Sequence, residues 1–324
     1  MRALQVEAFG DPSGLKVTQV EERSPNPGEV KLKVSGTGVG YFDGLLIKGE
    51  YQIKQPLPFV PGTSVAGVVE EVGDGVTGLK PGDPVAAFAL LGGLAEKVVV
   101  GESFCVKLPA SVPMEIAASF LITYATGVLG LKNLAKLKPN ETVLILGASG
   151  TTGSAAPEIS KAMGAKVIAC ASTASKRQSC LEKGADCVVD YTQEDWRKEV
   201  KTITAKKGVD VVFDPVGGDF SEPALRSMAP GGRYLVVGFV SGIACTPMNL
   251  PLLKRCSVIG VNWGGEVFAN PGIVKPVIEQ LIEWVLEKKL KSGPDAMYSL
   301  EESSKAFESL LNRQSVGKVV ITPG

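Results

Sequence analysis

The stretch Thr142–Ser172, TVLILGASGTTGSAAPEISKAMGAKVIACAS, constrains the fold more than any other. It opens on a short apolar run, Thr142–Leu146, and passes through a glycine-rich turn, Gly147–Gly153. A helical pattern follows, Ser154–Met163, closed by Gly164, and then a second apolar run, Lys166–Ala171. Strand, glycine turn, helix and strand make one βαβ unit. In such a turn Gly150 has no Cβ to hold a pyrophosphate away, and Gly153 lets the helix pack closely on the strand. The leading N–H groups of the helix and the positive end of its dipole attract phosphate. The spacing is Ala148-x-Gly150-x-x-Gly153, with alanine in place of the usual first glycine. A plain βα turn could use the same residues, but three small ones at this spacing exceed what a turn needs. Pro157 removes one N–H inside the helical pattern, so a kink or a late helix start is expected there.

The rest of the chain divides in style. Residues 1–119 are dense in glycine and proline, with strand-like runs at Ala3–Ala8, Leu15–Glu21, Glu29–Gly36, Ser64–Val72, Pro84–Phe88 and Ala95–Val100. Turn pairs such as Pro27-Gly28 and Pro61-Gly62 separate them, which suggests an antiparallel barrel or partly closed sheet. Tyr41–Lys48 reads as a short helix and Pro113–Lys136 as a longer one. Apolar runs then fall at 142–146, 166–171, 187–190, 209–213, 233–238 and 257–262, the six strands of a doubly wound sheet. Helices are expected over Ile273–Lys289 and Glu301–Leu311, and a last strand over Gly317–Thr322 that returns to the first domain. The expected fold class is α/β. A Rossmann domain, residues 120–264, is inserted between the two parts of a partly closed β-barrel domain, 1–119 and 265–324.

Composition excludes several function classes. The 34 basic and 34 acidic residues cancel, so nothing steers the chain toward nucleic acid or an anionic membrane. No apolar run reaches the ~18 residues of a membrane span. The N-terminus has no signal-peptide core, and the six scattered cysteines form no C-x-x-C pair, which points to reduced thiols and a cytoplasmic location. There is no histidine at all. That removes Ser-His-Asp and Cys-His nucleophiles and every histidine-ligated zinc site, so no metal is expected. Acid–base chemistry must fall to Tyr, Asp, Glu, Lys, Cys, water or a cofactor hydroxyl.

An NAD site places an acid at the end of the second strand, about 20 residues past the glycines. Here that strand ends Ala169-Cys-Ala-Ser-Thr173, and the first acid is Glu182, well into the next helix. Ser172, Lys176 and Arg177 occupy the region instead, with Tyr191 just past the third strand run. A missing carboxylate removes repulsion of a ribose 2′-phosphate and a cation attracts it. NADPH is therefore the expected cofactor.

Several strings carry a resemblance over nearly the whole length. They include Gly40-Tyr-Phe-Asp43, Gly49-Glu-Tyr51, Pro58-Phe-Val-Pro-Gly62, Ala66–Gly73, Lys80-Pro-Gly-Asp83, the glycine turn, Val216-Gly-Gly, Pro230-Gly-Gly-Arg, Val237-Gly-Phe and Gly317-Lys-Val-Val. In this order the chain resembles the zinc-independent medium-chain dehydrogenase/reductases of the NADPH:quinone oxidoreductase type. The resemblance implies a GroES-like barrel from both chain ends, a Rossmann domain, and an active-site cleft between the two. It implies hydride transfer from NADPH to a quinone or an activated alkene, and a homodimer paired through the strand at Ser257–Asn262. Zinc-dependent relatives carry cysteine at the position of Gly40 and histidine at that of Thr63. Quinone-reductase relatives usually carry asparagine at the Gly40 position and glutamate at that of Ser64, two departures beside the expected nicotinamide. Carried over residue by residue, the cofactor candidates are Thr126, Gly150, Thr151, Thr152, Gly153, Ser172, Lys176, Tyr191, Phe239 and Val240.

Without a metal, proximity and hydrogen bonding to developing negative charge must do the chemistry. Tyr51 is the first candidate for that bond and for proton delivery, although a tyrosine packed at a loop end would read the same. Tyr41 and Asp43 are secondary, and Asp43 also suits a local backbone cap. The rival readings are an NADPH-dependent enone or enal double-bond reductase and a non-catalytic NADPH-binding sensor or structural protein.

Overall fold

The computed structural model describes residues 1–290 and 293–324. It forms two units. One comprises Met1–Ala125, Gly264–Leu286 and the C-terminal segment ending at Gly324; the other comprises Thr126–Trp263 and a short piece after Leu286.

The first unit opens with β1 (Arg2–Gln5) antiparallel to β2 (Lys16–Gln19). Its main sheet holds β3 (Glu29–Val39), β4 (Ser64–Val72), β5 (Pro84–Phe88), β6 (Lys97–Gly101) and β7 (Cys105–Lys107). β3 shows why the strands form: Val30, Leu32 and Val34 point into the core while Lys33 points out. Those valines meet Val65, Val69, Val85, Val98 and Val100 in one apolar cluster. The helix Tyr41–Lys48 follows β3 and stops at Gly49, whose φ of 69° lies in the left-handed region.

The second unit is a parallel six-stranded sheet of β8 (Thr142–Ile145), β9 (Lys166–Cys170), β10 (Cys187–Val189), β11 (Val209–Asp214), β12 (Met228–Val236) and β13 (Ser257–Gly260). The order is β10-β9-β8-β11-β12-β13, which is doubly wound with its switch point between β8 and β11. β8 and β11 are nearly continuous buried apolar runs, as a sheet covered on both faces requires. β13 is the open edge and is largely exposed.

Two strands close the chain, β14 (Ala296–Ser299) and β15 (Val319–Thr322); β15 pairs antiparallel with β3 and parallel with β14. Just before β15, a Cβ at Gly317 would fall 1.9 Å from Asp295 Oδ2. Asp295 takes the Lys318 N–H there, and the buried Lys318 ammonium donates to the Tyr124 hydroxyl at 3.0 Å. Among the described residues no helix is long and apolar enough to cross a membrane.

The largest departure from expectation is the region 113–136. One helix was expected. The structure has a short helix, Met114–Ala118, then π-helical turns at Phe120–Tyr124 and Val128–Leu134 around one α-turn, Ala125–Gly127. β7 was not expected either, and the helices Trp196–Ile203, Asn249–Lys254 and Trp263–Ala269 follow the strands of a doubly wound sheet without having been given bounds from the sequence.

Candidate active site

The glycine turn follows β8 at the carboxyl edge of the parallel sheet. Gly150 N–H donates to the Gly147 carbonyl at 2.9 Å, and Ser154 N–H to the Gly150 carbonyl at 2.8 Å. A Cβ on Gly153 would fall 2.1 Å from the Gly147 oxygen, so no other residue fits there. A Cβ on Gly150 would meet only that same oxygen, at 3.3 Å. The helix runs Ala155–Ala162, with Pro157 in its first turn, where an N–H has no intrahelical acceptor. The late start removes the clash that proline would otherwise cause. Among the described residues the N–H groups of Thr151 and Thr152 have no acceptor. The turn therefore presents backbone donors at a helix start, which fits a phosphate-bearing group.

The neighbouring strand ends carry the other candidates. Ser172 lies two residues past β9, half-buried. Thr173 caps the helix Ala174–Glu182 by accepting the Lys176 N–H at 3.2 Å, which fixes where Lys176 leaves the backbone. Arg177, singled out with Lys176 from the sequence, is committed elsewhere: it donates to the Ala171 carbonyl at 3.2 Å and pairs with Asp190 at 2.9 Å. The Thr192 hydroxyl and Arg177 together hold the Asp190 carboxyl below its usual range, against a smaller effect of burial. Tyr191 lies past β10 with its ring 4.6 Å from Phe220. Phe239, 43% exposed, and Val240 follow β12. Parallel strands put all these strand ends on one edge of the sheet, the edge where open α/β sheets bind ligands. Thr126 is buried in the single α-turn between the two π-helical stretches.

In the first unit the geometry centres on Asp43 and Tyr51. Asp43 is fully buried in the first turn of the helix Tyr41–Lys48, and its Oδ2 accepts the Gly40 N–H at 2.8 Å. Its Oδ1 has no partner among the described residues. Burial pushes this carboxyl up to about 7, against the opposing pull of the Gly40 and Asp43 amides. Tyr51 packs beside Phe42, ring centroids 6.1 Å apart, and is half-buried. Burial first, and the Asp43 charge second, push its phenol up, so it holds its proton at neutral pH. Tyr41 stands half-exposed at the start of the same helix.

Ser64 is fully buried. Its hydroxyl donates to the Ala118 carbonyl and accepts the Leu121 N–H at 3.3 Å, tying β4 to the broken helical region. A cavity of about 260 Å³ in the same unit is lined by Glu22, Lys31, Leu91 and Lys97 and by none of the candidate residues. Its lysines are paired with Glu22, Glu70 and Glu71, so we assign it no chemistry.

The alcohol dehydrogenase GroES-like domain model matches residues 26–110, and the zinc-binding dehydrogenase model matches residues 151–286. The quinone oxidoreductase-like protein 2 homolog of Nematostella vectensis is 38% identical over 298 residues, 90% of this chain and 81% of that protein. Among solved structures, a probable oxidoreductase from Mycobacterium abscessus superposes with a TM-score of 0.91 at 35% identity, covering 100% of this chain and 99% of that one. Escherichia coli quinone oxidoreductase, solved with NADPH, superposes with a TM-score of 0.92 at 27% identity over 100% of both chains. The chain belongs to the medium-chain dehydrogenase/reductase family, quinone oxidoreductase type. It is an oxidoreductase of that family. The second model's description names zinc. The chain has no histidine, and among the described residues no three His, Cys, Asp or Glu side chains group to hold a metal.

Sequence reasoning missed one part of this edge, the Asp214 network. Asp214 ends β11, is 2% exposed, and takes four donors. An aspartate closing an apolar strand run, next to Pro-Val-Gly-Gly, was the available signal.

Proposed function

We propose that this protein is an NADPH-dependent reductase that passes a hydride, without a metal, to a quinone or similarly electron-poor acceptor. The observation that carries the reading is the donor-rich glycine turn beside a second strand that ends without an acid and leads into Lys176. The turn suits a pyrophosphate, and Ser172, Lys176 and Tyr191 suit a ribose 2′-phosphate. The NADPH in the Escherichia coli relative supports the same cofactor. In this reading the Thr126–Trp263 region binds cofactor and the barrel-bearing unit carries the acceptor chemistry.

When bound, reduced nicotinamide supplies the hydride. The chain's own residues then orient and protonate. Thr126, Phe239 and Val240 position the nicotinamide end. Tyr51 hydrogen-bonds the oxygen on which negative charge develops and gives it a proton, which solvent replaces; one hydride and one proton account for reduction of the acceptor. Asp43 fixes the backbone at Gly40 and keeps the Tyr51 proton in place by its charge.

The test is NADPH oxidation after dialysis against a chelator, with a quinone and an alkenal as separate acceptors. Turnover with the quinone is expected, at least tenfold faster than with NADH. Preference for the alkenal would make the protein a double-bond reductase, and binding without turnover would make it a sensor. A Tyr51→Phe variant is expected to lose about 100-fold in kcat; unchanged turnover removes Tyr51 as donor.

We also assign it a homodimer in the cytoplasm. β13 is an unpaired sheet edge, and the preceding segment exposes Leu252 (77%) and Leu253 (69%). A monomeric mass in solution would overturn the dimer.

A further inference from the structure

At the carboxyl end of β11, one buried carboxylate gathers backbone from a loop that carries no charge of its own. Asp214 Oδ1 accepts the Val216 N–H at 2.8 Å and the Gly217 N–H at 2.9 Å. Its Oδ2 accepts the Ser221 hydroxyl at 2.7 Å and the Tyr234 hydroxyl. Its backbone carbonyl accepts Val237 N–H at 2.9 Å and Gly238 N–H at 3.2 Å. Every hydrogen-bonding face of the residue is thus used, and the groups that use it come from three stretches of chain.

Those stretches interlock. Ser241 N–H donates to the Val216 carbonyl at 2.8 Å, and Gly218 N–H to the Gly242 carbonyl at 2.7 Å. A Cβ on Gly217 would fall 2.5 Å from the Gly242 oxygen, and one on Gly218 would fall 2.5 Å from the Ser241 oxygen. Both glycines have positive φ, 72° and 57°, so the close approach depends on them. On the other side, a Cβ on Gly147 would fall 2.7 Å from Val216 Cγ2, so the same loop abuts the glycine turn after β8. The loop held by Asp214 therefore lies between the glycine turn and the segment carrying Phe239 and Val240, next to the switch point of the sheet.

We propose that Asp214, with Tyr234 and Ser221, is the positioning residue of the dinucleotide site: it sets the 215–218 loop and, through it, the 237–242 segment against which the nicotinamide end of the cofactor rests. The assignment rests on the NADPH reading above. Asp214 does not touch the cofactor. It acts by fixing backbone that otherwise would have to be ordered at the moment of binding, an entropic cost that weakens affinity.

Two ligands separate this role from general stability. NADPH uses the whole site, whereas adenosine 2′,5′-bisphosphate has no nicotinamide and uses only the Ser172–Lys176–Tyr191 end and, through its 5′-phosphate, the glycine turn. For Asp214→Ala, titrated as the full chain, NADPH Kd is expected to rise at least tenfold and bisphosphate Kd to stay within twofold of wild type. Asp214→Asn keeps an oxygen for the two backbone donors and is expected to restore NADPH affinity to within threefold. Tyr234→Phe keeps the carboxylate and three donors, and is expected to raise NADPH Kd about threefold with bisphosphate unchanged. Unchanged NADPH Kd in Asp214→Ala overturns the proposal, and so does equal weakening of both ligands, which marks a structural role only. If Asp214→Ala does not fold, Tyr234→Phe decides: threefold weakening confined to NADPH supports the proposal and unchanged affinity overturns it. Failure of the wild type to bind either ligand defeats the NADPH reading itself.

Discussion

Two aspartates, one in each unit, are buried alike and satisfied unlike. Asp43 is fully buried and Asp214 is 2% exposed. Each takes a backbone N–H of a glycine beside a loop, Gly40 in one case and Gly217 in the other. Asp214 adds three more donors on its side chain, so both its oxygens are bonded. Asp43 keeps one oxygen without a partner among the described residues, and burial raises its carboxyl to about 7. The difference teaches what burial does to a carboxylate. With a full set of donors it becomes a backbone clamp; with half a set it becomes a titratable group near neutral pH.

The largest expected effect breaks the comparison outright. Asp214→Ala leaves four donors facing the space of a deleted carboxylate, and stability should fall by about 4 kcal/mol. Asp43→Ala leaves only the Gly40 N–H and the start of one helix uncapped, a loss of about 1 kcal/mol, offset above neutral pH by removal of a poorly solvated charge. Urea midpoints at pH 7 check both. Equal losses would mean that the donor count does not decide the stability of these residues.

This contrast also marks where the sequence stops being informative. Six strand runs and the glycine turn were legible because parallel strands buried on both faces read as continuous apolar stretches, and because turn glycines answer to steric demands that act locally. β4, β5 and the helix Tyr41–Lys48 fall where their alternation and punctuation put them. The region 113–136 was not legible: its apolar residues suit a continuous helix, but the structure has π turns in it, and tertiary bonds such as Ser64 to Ala118 and Leu121 are not encoded in helical period. Asp214 escaped notice for a similar reason. Two of its donors, Ser221 and Tyr234, are seven and twenty residues away, so its partners become apparent only once β11 and β12 are paired. Arg177 could be read as a phosphate ligand only while Asp190, on a neighbouring strand end, was out of view.

A pH series sharpens the comparison from the other side. The Asp43 carboxyl sits at about 7 in the folded chain against an ordinary 3.8. Between these values the folded state holds a proton that the unfolded state releases, so stability contributed by this group is complete below about pH 4 and is lost as pH rises to about 7. The loss is on the order of 4 kcal/mol at most. Asn cannot ionise, so Asp43→Asn should remove a large part of the difference between stabilities measured at pH 5 and pH 8. An unchanged difference in the variant would assign the pH dependence to other groups.

The smallest effect tests whether the Asp214 donors act as one set. The Tyr234 phenol is pushed up by burial first and then by the Asp214 charge, so it remains a donor throughout the working pH range. Tyr234→Phe removes that one bond and keeps the ring, which packs in the core cluster with Val212 and Leu250. A single hydrogen bond to a charged group contributes about 1.5–3 kcal/mol. Here Ser221 and two backbone amides still solvate the carboxylate, so the expected loss is at the lower end, about 1.5 kcal/mol, well under that of Asp214→Ala. Ser221→Ala should lose a similar amount. If the two act independently, the double variant loses the sum; if the carboxylate needs both hydroxyls to keep its place in the loop, it loses more than the sum. That excess, read from a double-mutant cycle in urea, would move Asp214 toward the condition of Asp43, with one oxygen bonded and the other not.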